Sequence, residues 1–469
     1  MIRALLRLRH RTFPPDTPCS GAEASDLASP GNAILDSKPP DHPSQLPVER
    51  PTGIRYRVMG WLALAAALSY LCRNAIGVAE SELRRDLRLT HSQSGWILGA
   101  FFWTYALLQV PAGSFSQRLG SRITMSLFAI GWAVGMLATA ASPGFWLLII
   151  AQLVMGAAQA GIFPASTNTV SHWVPMSQRS FGCGLLAVGM QTGAIAASLL
   201  TGPLLIAMGW RGTFALFAIP SLLWAVVFFI RFRNHPQECS KVNAAELQLI
   251  RGNPPPGADS DAEAPSSARM NWGKLARTPA IWFICGQQIC RASGYMFFAS
   301  WFPTFLQETR GVSLSESGYL QGWFFAAALT GSLLGGWVTD CIWNRTGSLW
   351  LSRCVVGGCA LATCASLILS GWFIEDARTA VGILALGGFF AAFAGPCTFA
   401  TTIELGGAHV PQMLGLVNMS GNLAVAACPV VIGLIVEMTG SWNLILVLFA
   451  ALYLAGAICW LLVRPNRTS

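Results

Sequence analysis

Residues 94–122, SGWILGAFFWTYALLQVPAGSFSQRLGSR, return without a gap as residues 317–345, SGYLQGWFFAAALTGSLLGGWVTDCIWNR. Seven positions are identical: Ser94 and Ser317, Gly95 and Gly318, Gly99 and Gly322, Phe101 and Phe324, Phe102 and Phe325, Gly113 and Gly336, Arg122 and Arg345. Each copy is an apolar run long enough to cross a bilayer, opened by a Ser-Gly pair that reads as a helix cap and closed by a glycine and a short basic turn. A spanning unit repeated at that distance predicts a chain built from two similar membrane halves.

With 53% hydrophobic and only 11% charged residues, the chain is too apolar for a water-soluble globule. Twelve apolar segments of spanning length follow Val58, at 58–79, 94–115, 122–141, 143–167, 180–207 and 212–231, then 279–306, 317–340, 349–372, 379–403, 412–436 and 441–463. The expected fold is an all-α membrane protein, with twelve transmembrane helices in two six-helix bundles. The expected division is a disordered tail over 1–53, one bundle over 54–232, a polar Pro-rich linker over 233–277 and a second bundle with a short tail over 278–469. The arginine-rich start, MIRALLRLRHRTF, admits a transit peptide or a tail on a bacterial protein; scarce serine and the prolines that follow favour the tail.

The net charge of +9 lies mostly in short loops and tails, where orientation accounts for it and nucleic acid need not. The basic segments around Arg118 and Arg122, around Lys241, Lys274 and Arg277, and around Arg464 and Arg467 fall on one side, which places both termini in the cytoplasm. The thirteen cysteines have no paired ligand spacing and lie mostly in apolar runs, so neither disulfides nor a metal are expected. No G-x-x-x-x-G-K-[ST] loop is present, and no cofactor is called for.

Two cations remain inside the membrane, Arg73 in the first helix and Arg291 in the seventh. A charge at that depth costs several kcal/mol unless it faces an aqueous cavity or a partner, and it usually marks a pathway. Guanidinium forks match carboxylate and phosphate geometry, so both arginines are expected to face a central cavity and bind an anion. All twenty-one acids fall in tails, loops or helix ends, Asp340 and Glu404 being nearest the core, and no histidine lies mid-membrane. A proton-coupled carrier needs a titratable group near its substrate, and this core offers none.

The spacing Gly113, Gln117, Arg118, Arg122, repeated as Gly336, Asp340, Arg345, resembles the loop after the second and eighth helices of the major facilitator superfamily, where an acid and arginines lock the cytoplasmic ends together. Gln117 stands where an acid is usual, which implies a weaker lock in the first half. The runs FFWTYALLQVPAG from Phe101, AGIFPASTNTVSHWVP from Ala160, GWRGTF from Gly209, SWFPTFL from Ser300 and NMSGN from Asn418 resemble the anion:cation symporters, which include sugar-acid, sialic acid and vesicular glutamate carriers. That resemblance implies that Arg73 binds the substrate carboxylate and that Tyr105, Gln109 and Asn422 are polar cavity contacts. Proton-driven members usually carry an Asp before the first-helix arginine and an Arg and a Glu in the fourth helix; here Cys72, Gln152 and Gln159 stand at those positions.

The expected function is alternating-access transport of a small organic anion such as a sugar acid, with no enzymatic step, by a monomer in a bacterial plasma membrane. Arg291 keeps an alternative open, because organophosphate:phosphate antiporters resemble this chain in having one arginine in the first and one in the seventh helix. A third reading is a transport-dead sensor on a carrier fold. Small-residue patterns at Gly189–Ser198 and Thr330–Gly336 would let helices pack and slide closely.

Overall fold

The computed structural model describes residues 50–175, 178–251, 279–374, 376–406 and 410–463. Most of the expected tail and the linker residues 252–278, with Lys274 and Arg277, lie outside the described residues, as do Arg464 and Arg467. The rest is helical: α1 Ile54–Asp86, α2 His91–Ala140, α3 Phe145–Gln159, α4 Ile162–Trp173, α5 Arg179–Arg231 and a short α6 Ala244–Arg251. After the linker come α7 Pro279–Ser300, α8 Phe302–Arg310, α9 Leu314–Thr346, α10 Val356–Ser370, α11 Ala377–Phe393, α12 Gly395–Gly406, α13 Val410–Thr439 and α14 Trp442–Leu462.

Twelve spans emerge because two helices turn back on themselves. Gly120 (φ 76°) splits α2 into the second and third spans, and Gly209 (φ 69°) splits α5 into the fifth and sixth. Those backbone angles are left-handed, a region that glycine enters without steric cost. Three further spans are broken in the middle. The fourth is α3 and α4 with a turn at Ala160 and Gly161, the seventh is α7 and α8 around Trp301, and the tenth is α11 and α12 around Ala394.

The repeated unit starts one turn earlier than its Ser-Gly pair. The Thr90 hydroxyl accepts from Gln93 N–H (3.2 Å) while the Gln93 amide accepts from Thr90 N–H (3.0 Å), a reciprocal cap. Ser313 caps α9 in the same way, accepting from Glu316 N–H (3.2 Å). Gly95 and Gly318 are therefore not caps but points where the two halves touch. Nor do Gly113 and Gly336 end their helices, which run on to Gly120 and Thr346. A Cβ at Gly113 would meet Pro164 of α4, and one at Gly336 would meet Pro396 of α12, so each glycine seats the outer piece of a broken helix in its own half.

The two halves meet along α2 with α13 and α5 with α9, where backbones come too close for side chains. A Cβ at Gly95 would sit 2.5 Å from Pro429 O, one at Gly99 2.6 Å from Ala426 O, and one at Gly318 2.5 Å from Ser198 O; α1 meets α7 as closely, with a Cβ at Gly77 2.5 Å from Ala299 O. Membrane helices gain little from hydrophobic association, because lipid is as apolar as leucine, so such close backbone packing carries the interface. Leu107, Trp146, Ile206 and Leu223 are exposed on the outer surface, as a lipid-facing wall requires.

Candidate functional site

Arg73 sits in α1 one turn beyond Tyr70, at the level where α3 ends. Its Nε and one Nη both donate to Oε1 of Gln159, at 3.2 and 3.1 Å, and the Gln159 amide nitrogen donates to Ser69 O at 3.1 Å. Gln159 is the last residue before the break in the fourth span, so unwinding of that helix fixes the arginine's partner. Around the guanidinium stand aromatic rings, with its carbon 4.5 Å from the Tyr70 centroid, 4.6 Å from Phe101 and 4.6 Å from Tyr105. Ring faces and a neutral amide hold a cation in place but leave its charge unneutralised.

Arg291 occupies the matching place in α7. One Nη donates to Oε1 of Gln288 on the same helix (2.9 Å), while its Nε is buried without a hydrogen-bond partner among the described residues. Nδ2 of Asn422 is likewise buried and unpaired among the described residues. Buried donors left open cost free energy, and an acceptor entering among them recovers it. A Cβ at Gly395, the first residue after the break in the tenth span, would come 3.7 Å from Arg291 Nη1. Corresponding spans of the two halves thus break beside the two arginines.

Both arginines line one cavity of about 270 Å³ between the halves. Tyr70, Asn74, Phe102 and Tyr105 contribute from the first half, and Tyr295, Met296, Asn418 and Asn422 from the second. No Asp, Glu or His is among the residues that line it. A second chamber of about 480 Å³ shares Tyr70, Arg291 and Tyr295 and continues to Gly184 near the start of α5 and to Phe399 in α12.

Of the residues singled out in the sequence, Arg73, Arg291, Tyr105 and Asn422 are brought together here. Gln109 is half-buried one turn beyond Tyr105 and lies outside the lining of this cavity. Gln159 holds Arg73 directly, and Gln152, whose amide donates to Thr139 Oγ1 (3.4 Å), borders a crevice beneath it. Cys72 faces the other way, its Sγ 3.7 Å from both Phe217 O and Ser221 Oγ in the sixth span. Sequence reading missed Tyr70 and Tyr295. Helical spacing was the available signal, since each is one turn from its arginine on the same helix face.

Residues 62–373 and 288–469 match the profile of the Major Facilitator Superfamily, so the match runs from the first span to the last. The chain belongs to the Major Facilitator Superfamily. Similar superfamily proteins include a probable sulfoacetate transporter of Cupriavidus necator, 28% identical over 414 residues that cover 88% of this chain and 95% of that protein. A D-galactonate transporter of Escherichia coli is 28% identical over 88% of this chain and 96% of its own length, and an Escherichia coli hexuronate transporter 26% identical over 88% and 94%. A crystal structure of a bacterial homolog of the human lysosomal transporter Spinster, inward-facing and unoccupied, superposes with a TM-score of 0.67 at 18% identity, covering 88% of this chain and 95% of that one. It shares the superfamily fold.

As a superfamily carrier the molecule is closed at one end of the membrane, the end of the turn 87–90. Arg84 pairs with Glu80 in its own helix (2.9 Å) and with Glu308 across the interface. Glu308 also accepts from Trp442 Nε1 (2.9 Å) and faces His91 Nε2 (3.3 Å). Thr304 donates to Glu80 (2.5 Å), Ser81 to Gln307 (2.7 Å), and the N–H of Ser92 to Glu437 (2.8 Å). These bonds join helix ends from both halves above the arginines.

At the other end the superfamily's loop lock is uneven between the halves. Asp340 pairs with Arg353 (3.2 Å), which also reaches Glu404 (3.5 Å), while Arg345 is exposed. The partner of Asp340 is thus Arg353, at the start of the ninth span, and not Arg345; long-range packing chose it, and the loop spacing did not reveal it. In the first half Arg122 donates to Phe229 O (2.7 Å), lies 4.6 Å from the Phe229 ring, and has its N–H on Asn234 Oδ1 (2.9 Å). Gln117 and Arg118 are exposed at a small pocket with His172 and His235. Arg122 thus meets neutral partners where Arg353 meets carboxylates.

Proposed function

We propose that this chain is a secondary transporter that carries a small organic anion by alternating access, with Arg73 and Arg291 supplying the positive charge that holds it. The observation that carries this reading is two arginines from opposite halves lining one cavity that contains no acid. Two such cations in a low-dielectric site are costly when empty, and an anion with several oxygens offsets that cost by taking the open donors of Arg291 and Asn422. Tyr105 and Tyr70 wall the anion, and Gln159 orients Arg73. The substrates named for the relatives, sulfoacetate, D-galactonate and hexuronate, are all small organic anions.

The same pair of arginines favours a second reading, exchange of dianions or phosphorylated substrates, because a ligand with two anionic ends engages both halves at once. With no carboxylate or imidazole in the lining, the cycle is driven by the substrate's own gradient or by a counter-anion. The positive-inside bias puts the linker and both termini in the cytoplasm. The closed end is then the outer one, and the conformation faces inward. Residues 54–232 and 278–469 act as the two rocking units of a functional monomer, and no covalent step is needed.

Uptake into proteoliposomes tests this. A labelled sugar acid entering down its gradient without internal anion supports the uniport reading, strict dependence on internal anion supports exchange, and binding without flux leaves a sensor. Arg73→Ala is expected to abolish flux while the protein is made and folded normally; uptake near wild type would remove the anion reading.

A further inference from the structure

Apart from the arginine cavity, a groove of about 790 Å³ runs beside α1, where the sixth span ends and the chain turns toward α6. Its lining is layered. Arg57 of α1, Arg231 and Arg233 at the end of α5, and Lys241 form a cationic rim, with Glu238 its one carboxylate. Deeper along α1 the floor is apolar, with Gly60, Trp61 and Leu64. Arg57, Gly60, Trp61 and Leu64 follow helical spacing on one face, so rim and floor are separated by about 10 Å of helix rise.

None of the four cations has an ion-pair partner among the described residues, although the chain pairs arginines elsewhere. Arg233 turns one Nη back to Ile230 O and Phe232 O, both at 2.9 Å, while Arg57, Arg231 and Lys241 lie exposed. A Cβ at Gly60 would touch nothing within 4 Å, so the floor is open space against α1. Hydrogen bonds fix the groove's edges: Trp224 Nε1 donates to Trp61 O (3.2 Å) and Trp173 Nε1 to Arg233 O (3.2 Å).

We propose that this groove is a binding site for an anionic phospholipid, its phosphate held by Arg57, Arg231 and Lys241 and its first acyl carbons laid over Gly60 and Leu64. Clustered cations at a span's end attract acidic headgroups, each adding attraction at the membrane surface. Charge alone would suit a free phosphate as well; the apolar floor, with Leu64 45% exposed to the bilayer, selects the lipid. The site lies outside the transport cavity, so it stands or falls independently of the substrate.

Native mass spectrometry of the full-length protein, titrated with phosphatidylglycerol and separately with phosphatidylcholine, tests it. Phosphatidylglycerol is expected to remain bound and phosphatidylcholine to be lost. Arg57→Gln with Lys241→Gln is expected to weaken retention by about fivefold per cation, roughly 25-fold for the pair. Gly60→Leu, whose Cβ meets nothing within 4 Å, is expected to exclude the lipid while size-exclusion profile and melting midpoint stay at wild type. Equal retention of the two lipids, or retention unchanged in either variant, overturns the proposal. Displacement of the lipid by millimolar inorganic phosphate also overturns it, assigning the cations to a soluble anion.

Discussion

The contact between Arg73 and Gln159 gives the sharpest handle on coupling. Gln159→Glu would place a carboxylate where the amide oxygen now lies, 3.1–3.2 Å from two guanidinium nitrogens. With the two charge centres about 4 Å apart and an effective dielectric constant near 20, an ion pair there is worth about 4 kcal/mol. Part of it is offset, because the amide nitrogen now donates to Ser69 O and an ionised carboxylate cannot. A substrate anion competing for Arg73 would then have to displace roughly 2–4 kcal/mol, weakening its Kd by about 30- to 1000-fold. Protonation reverses this. A neutral carboxyl can accept from Arg73 and donate to Ser69 O, as glutamine does, so at low pH the variant should bind like wild type. Binding measured by intrinsic tryptophan fluorescence across pH, followed by uptake with an imposed pH gradient, reads both effects. Wild type is expected to be flat with pH, and the variant to lose affinity as pH rises and gain flux when the substrate side is acid. An affinity that matches wild type at every pH would refute the idea that Arg73 needs an unneutralised charge to hold its substrate.

Other outcomes follow from the same contacts. Gly99→Val puts a side chain into space where even a Cβ would lie 2.6 Å from Ala426 O, so closure at that end should fail; hydrogen exchange in 91–99 and 426–437 is expected to rise, and unchanged protection would argue that these backbones do not meet. Glu246 of α6 accepts from Ile54 N–H (3.1 Å) and Arg55 N–H (3.1 Å) and pairs with Arg55 (3.3 Å). Burial pushes its carboxyl up, but the bonds from Thr52, Arg55 and Ile54 and the Arg55 charge outweigh it and hold the carboxyl below the ordinary range. The stability it adds is therefore complete above the ordinary carboxylate value and is lost as pH falls through the lowered one. Glu246→Gln, which leaves Arg55 buried without a counter-charge, should cost about 3 kcal/mol and remove that acid-side dependence of the melting midpoint; an unchanged midpoint at neutral pH would show that α6 does not brace α1.

The repeat at 94–122 and 317–345, the twelve apolar runs and the two unmatched cations were legible in the sequence, because a bilayer filters residues by position along one axis. An apolar run must span, and a charge within it must have a reason. Residues on neighbouring turns were within reach too, although Tyr70 and Tyr295 went unread. Caps and partners were less legible. Thr90 and Ser313, not Ser94 and Ser317, start the repeated helices, since capping is decided by which hydroxyl reaches a free N–H. Asp340 finds Arg353, and Glu246 finds Arg55, across distances that spacing does not encode.

By itself the sequence determined that this chain folds in lipid, in two related halves, with fixed positive charge inside each. Only the tertiary structure decided that Arg73 and Arg291 share a cavity, that Gln159 holds one of them, that Cys72 turns away, and that the end at residues 87–90 is shut. The physical reason is that hydropathy fixes depth in the membrane, whereas the direction a side chain points depends on helix rotation and on where glycines and breaks let backbones touch.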